Sequence, residues 1–201
     1  MLNTLLLFIF SSFVLTISPG PDLLFVLSTS MQKGWKSGFR LSLGLTTGIL
    51  IHTLIVVLGV GSVLALYPNI LRLIELLGAS FLIYLAIQSW RTKHTIIVQP
   101  KKKVSQNLYI TGFVMNISNP KVSLFFLSFF PGFLFHESWS NAIQFLILGG
   151  IFYVQALFVF FSFSILAHRL TNKLQSFKQD DRWNKVQALI LLIISLILIY
   201  P

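Results

Sequence analysis

The chain has 201 residues, 55% of them hydrophobic and only 10% charged, with a mean hydropathy of +0.84 and a net charge of +10. A soluble domain of this size needs far more polar surface, so the values point to a polytopic membrane protein. Cysteine is absent, which excludes disulfides, thiolate nucleophiles and cysteine-ligated metals.

Apolar segments fall at about 2–32, 38–66, 70–90, 108–135, 140–166 and 185–200, against the roughly 20 residues that a spanning helix takes. No Lys or Arg precedes the first segment and no small-residue cleavage site follows it, so it reads as an uncleaved helix. Its apolar run is interrupted by Ser18-Pro19-Gly20-Pro21-Asp22. Each proline removes a backbone donor and clashes with the carbonyl four residues back, so one continuous helix is excluded. Broken backbone at membrane depth survives only where protein or a water-filled cavity covers it. The break is therefore a candidate binding site. Segment four carries a second interruption at Asn119-Pro120-Lys121.

The fifteen basic residues fall unevenly. Lys33, Lys36 and Arg40 lie in the first connection; Arg91, Lys93 and Lys101 to Lys103 in the third; Arg169, Lys173, Lys178, Arg182 and Lys185 in the fifth. The even connections hold Arg72 alone, and Lys121 lies inside a hydrophobic segment. Six crossings with connections 1, 3 and 5 in the cytoplasm, and both termini outside, satisfy the positive-inside rule. The charge is thus topological and needs no nucleic acid; anionic lipid headgroups are a sufficient partner.

The polar stretch 91–107 divides the chain into a first half, 1–90, and a second, 108–201. Three segments in each half predict an all-α membrane protein built as two inverted repeats, an arrangement common in secondary transporters. From Asp22 to Gln32, and from Leu108 to Ser118, the chain runs eleven residues, about 16 Å of helix in each case. Both proline breaks are accordingly expected near the midplane.

In each half an ionisable residue follows the break and opens a new half-helix, whose free N–H groups favour an anion. Lys121 and the two helix starts are placed to hold a carboxylate, and Asp22 an amine or a proton. Each has plainer alternatives: Asp22 as a helix cap, Lys121 snorkelling to the interface or paired with a backbone carbonyl. The two are also candidates to pair with each other. Gly44, Gly48 and His52 share one face of the second segment; the glycines read as close helix packing, and His52 as either a bundle hydrogen bond or part of the polar site. Arg72 and Glu75 form an expected interfacial pair. No nucleophile elbow, phosphate loop or metal-ligand spacing occurs, so no enzyme, cofactor or metal is expected.

The ordered motifs resemble the LysE/RhtB family of amino-acid exporters. Pro19-Gly20-Pro21-Asp22 is similar to its PGP-N/D signature, Gly78 to Ala86 to its GAxYLxYLG stretch, and Asn119-Pro120-Lys121 with Phe125-Phe126 and Pro131 to its NPK…FF…P segment. Gly44, Gly48 and His52 fit its second helix. The resemblance implies six helices in two inverted halves in the bacterial cytoplasmic membrane, exporting amino acids or derivatives in exchange for protons. Its motifs carry over to Pro19, Gly20, Pro21 and Asp22 and to Asn119, Pro120 and Lys121; Asp22, Lys121, His52 and Asn119 are the candidates for the substrate or proton site, and Pro19, Gly20, Pro21 and Pro120 for the breaks. Ile49 stands where some members carry an acid, which leaves Asp22 as the one deep acid. A passive channel for small zwitterions and a structural membrane subunit are the alternatives, and a homo-oligomer is left open.

Overall fold

A computed structural model describes residues 2–18, 20–60, 70–91 and 107–169, together with 185, 188, 189, 192, 193, 195 and 196 of the last segment. Pro19, most of the 91–107 connection, most of segment six and the side chains of Arg72 and Glu75 lie outside the described residues. Among the described residues the fold is all-helical, with no strand.

Helix α1 (Leu2–Ile17) buries Phe8, Ser11, Ser12, Val14 and Leu15, the face that a helical period of 3.6 selects. Its hydroxyls are satisfied within the helix, Ser11 on the Leu7 carbonyl and Thr16 on that of Ser12, both at 2.7 Å. Helix α2 (Pro21–Lys33) starts on a proline, where the missing N–H costs no helical hydrogen bond. The two helices are bent by 56°. Helix α2 ends at Gly34, whose φ of 83° is open to glycine and strained for other residues. Helix α3 (Trp35–Ile55) follows at once and runs into a π-helical turn at Val56–Val60.

Helix α4 spans Ile70–Arg91 and includes Gly78. Helix α5 (Leu108–Ile117) is capped by Asn107, whose side chain accepts from the N–H groups of Tyr109 and Ile110. After the second break comes α6 (Pro120–Leu124), only five residues, then a π turn at Phe125–Phe129 and a 3-10 turn at Phe130–Phe133. The expected second half-helix is therefore short and irregular. Pro131 and the crowding of six phenylalanines between 125 and 135 account for this. Helix α7 (Asn141–Arg169) is the longest of the described helices.

Residues Trp35–Gly59 and Asn141–Arg169 are each long and apolar enough to cross a membrane, and the α1–α2 pair counts as a third span if the bend interrupts one crossing. Helix α3 packs on α5, α7 and α2, while α4 lies against the 125–133 stretch. Phe8, Phe125, Phe126, Phe129, Phe130, Phe133 and Phe145 are fully buried and form one aromatic core. Phe8 meets Phe130 and Phe133 edge-on at 5.4 Å, a geometry that the ring quadrupoles favour. Outside, side chains such as Leu58 and Phe158 are 73% and 71% exposed, an apolar exterior suited to lipid.

Gln144 pins the turn before α7. Its Oε1 accepts from Phe135 N at 2.7 Å and His136 N at 2.9 Å, and its Nε2 donates to the carbonyls of His136 (2.8 Å) and Trp139 (3.0 Å). Gln144→Leu strands these groups, at about 1–3 kcal/mol for each one left unsatisfied. The Tm of the purified protein in detergent is expected to fall by at least about 5 °C. An unchanged melting curve would mean that water replaces the clamp.

Candidate functional site

The two breaks lock into each other. At the first, α1 ends and α2 begins within a few residues, so free carbonyls and free N–H groups lie close together. Gly20 precedes α2 with an extended backbone (φ −125°, ψ 177°) and supplies no side-chain cap. Asp22 stands in the first turn of α2, where a negative charge complements the helix dipole. Its carboxylate is buried and takes both of its cross-chain bonds from the second break. Asn119 Nδ2 donates to Oδ1 at 2.9 Å, and Asn116 Nδ2 donates to Oδ2 at 3.2 Å.

Lys121 serves the other end of the same break. Its Nζ donates to the Leu15 carbonyl at 3.0 Å and reaches that of Ser18 at 3.5 Å, passing over Gly20. A cation there complements the carbonyl end of α1. The carbonyl-pairing alternative is the geometry adopted, since no ion pair within 4.0 Å joins Lys121 to Asp22 among the described residues. The charges of both breaks thus converge on one place, each against the helix end of opposite sign.

Asn119 does two jobs. Its Oδ1 accepts from Lys121 N at 3.1 Å and caps α6, while its Nδ2 holds Asp22. Both contacts assign the amide orientation unambiguously. Asn119→Ala is expected to cost about 1–2 kcal/mol as a lost cap. Asn119→Asp keeps the cap but turns a donor 2.9 Å from Asp22 into a second carboxylate, and like charges this close repel strongly. Asp is therefore expected to lower the detergent Tm more than Ala does. The reverse order would mean that the amide donor to Asp22 is dispensable.

Asn116 is the residue that sequence reasoning passed over. It is 2% exposed and binds Asp22 through its amide, and its own carbonyl lies 3.4 Å from His52 Nε2. Its Oδ1 has no hydrogen-bond partner among the described residues and fills the space where a Cβ on Gly48 would stand. The one available signal was its position three residues before Asn119, one turn of α5 earlier. His52 does not line the cavity. It stacks on Phe126, with centroids 5.4 Å apart, and stands behind Asn116. Gly44 and Gly48 face α5, where Tyr109 and Asn116 occupy the space of their missing side chains.

The cavity between the breaks is lined by Asp22, Asn116, Asn119 and Lys121 on its polar side. The centres of water-sized molecules have about 30 Å³ in it, room for one or two waters. As it stands, the charged groups of the site are held by the protein's own hydrogen bonds.

No solved structure gives a significant match to the chain. Among curated proteins, the homoserine/homoserine lactone efflux protein of Salmonella typhi is 27% identical over 193 residues, 95% of this chain and 93% of the relative. An uncharacterized membrane protein of Pseudomonas aeruginosa is 33% identical over 151 residues, covering 71% of this chain and 70% of that protein. A leucine efflux protein of Enterobacter sp. is 26% identical over 148 residues, covering 70% and 68%. The model of the LysE type translocators matches residues 13–201. With that match over nearly the whole chain, the protein belongs to the LysE type translocator family and is a membrane transporter rather than an enzyme.

Proposed function

We propose that the protein exports amino acids or amino-acid derivatives across the bacterial cytoplasmic membrane by exchange with protons. The proposal includes six crossings in two inverted three-helix halves, with both termini outside. One observation carries it: an acid and a base, each held by the helix end of opposite sign, face one buried cavity in an apolar bundle. Ionisable residues inside a membrane bundle usually mark a transport pathway. The relatives named for homoserine and leucine efflux support the substrate class, and the thirteen basic residues of the odd connections support the orientation. Anionic inner-leaflet lipid is the partner proposed for those connections.

A zwitterion has the groups needed to replace the present bonds. Its ammonium takes the place of the Asn116 and Asn119 amides on Asp22, and its carboxylate draws Lys121 from the Leu15 and Ser18 carbonyls. Both exchanges cut ties between the two breaks, so binding itself releases the halves to move. A proton on Asp22 removes the charge that holds the ammonium and so competes with substrate at the same atom.

The test uses purified full-length protein in vesicles. A pH gradient is expected to drive uphill amino-acid movement, lost on Lys121→Ala although the variant inserts. Flux that only follows the amino-acid gradient would identify a passive facilitator and overturn the coupling.

A further inference from the structure

We infer that one face of α7 is the side-chain subsite of this transporter and that it selects substrates with uncharged side chains, with residue 156 setting their size. The inference rests on the reading of the cavity as the substrate site. Phe152, Ala156 and Phe160 follow one another at four-residue spacing, hence on one helical face. All three are buried, at 3%, 0% and 4% exposure, and all three line the cavity that holds Asp22 and Lys121. Ile49 of α3 and Leu23 of α2 extend the apolar wall.

The charges available are used up by the substrate backbone. Among the described lining residues Asp22 and Lys121 alone are charged, one for the ammonium and one for the carboxylate. The remaining polar groups, Thr16, Ser18, Asn116 and Asn119, are neutral. A third charge on the substrate's side chain would be buried with no counter-charge, which is strongly unfavourable. A neutral aliphatic side chain, by contrast, meets aromatic and aliphatic surface.

Rings stand one turn before and one turn after Ala156, which carries the smallest side chain of the three on this face, so added bulk at 156 takes room from any substrate side chain seated against α7. Asp22 of α2 and Lys121 of α6 carry the charges, and Leu15 of α1 and Asn116 of α5 are among their partners, whereas the α7 lining residues make no bond to either charge and are left to read side-chain shape. Residue 156 is therefore a specificity determinant rather than a charge-handling one. In an apolar pocket a single methylene changes selectivity by at least about tenfold.

The experiment measures kcat/KM for pH-driven transport of glycine, alanine, leucine, lysine and glutamate by the full chain in proteoliposomes. Lysine and glutamate are expected at least about a hundredfold below the neutral substrates, as for a buried unpaired charge. Ala156→Leu should lower the leucine-to-glycine ratio by about tenfold or more, through KM. Phe160→Ala should move the same ratio the other way. If Ala156→Leu does not reach the membrane, Ala156→Val carries the same comparison. Lysine carried as well as leucine, or a ratio that neither α7 variant moves, would overturn the subsite while leaving the Asp22–Lys121 site standing. A wild-type chain that carries no amino acid at all would overturn both.

Discussion

Asp22→Asn is expected to abolish the proposed pH-driven export while the protein still reaches the membrane. The variant is nearly isosteric, so the aromatic core and the α3–α5 contact are untouched. What changes is the hydrogen-bond chemistry. The carboxylate accepts from Asn116 Nδ2 and Asn119 Nδ2 on its two oxygens. An amide offers one acceptor and one donor pair, so one of the two asparagines meets a donor instead. The folding cost is one mismatched buried pair, about 1–3 kcal/mol. The functional cost is larger, because a neutral amide can neither hold a buried ammonium nor carry a proton. Removing one partner of a buried charged contact costs about 2–5 kcal/mol, so initial rates in everted vesicles should fall at least about a hundredfold. Immunoblots of the same membranes separate lost activity from lost protein. Export at the wild-type rate by a normally inserted Asp22→Asn variant would remove Asp22 from the mechanism.

Gly44→Ala is expected to have the largest effect on folding of any single methyl added to this chain's described glycines. A Cβ there would stand 1.9 Å from the Tyr109 carbonyl oxygen and 2.8 Å from Phe113 N. Both are backbone atoms of α5, so no side chain can rotate out of the way and the helices must separate. Gly112 repeats the contact from the other side, its Cβ falling 2.2 Å from the Leu41 carbonyl oxygen. Small residues that let backbones approach are the main source of helix association in lipid. Overpacking such a contact costs about 1–3 kcal/mol or more, a fall in detergent Tm of about 5–10 °C. Gly59 and Gly150 are the controls, because a Cβ on either meets nothing within 4 Å. Alanine at those positions should leave the Tm unchanged or raise it, since it is the better helix former by about 1 kcal/mol. Equal shifts at all three sites would mean that the α3–α5 approach is not what stabilises the bundle.

What the sequence determined by itself was what can be read locally. Composition set the membrane class, prolines 21 and 120 marked where helices begin, and the motif order around Asp22 and Asn119-Pro120-Lys121 led to the family that the full-chain match established. These signals survive because a missing donor, an apolar run or a buried charge acts on its own stretch of chain whatever surrounds it. Helical spacing likewise placed Gly44 and Gly48 on one face.

Only the tertiary structure decided which groups meet. Lys121 turns to the carbonyls of Leu15 and Ser18, more than a hundred residues away, and not to Asp22. Asp22 in turn is held by Asn116 and Asn119. A charge deep in the membrane must find a partner, but its residue type does not say whether that partner is another side chain or an open helix end; the position of the end does. Past Pro120 only five residues are α-helical before a π turn and a 3-10 turn, and the rings of this stretch pack on Phe8 and Phe152 of distant helices, contacts that no local pattern announces. The side-chain face of α7 is invisible in sequence for the same reason. Phe152, Ala156 and Phe160 are an ordinary apolar stripe until folding sets them beside the only two charges of the cavity among the described residues.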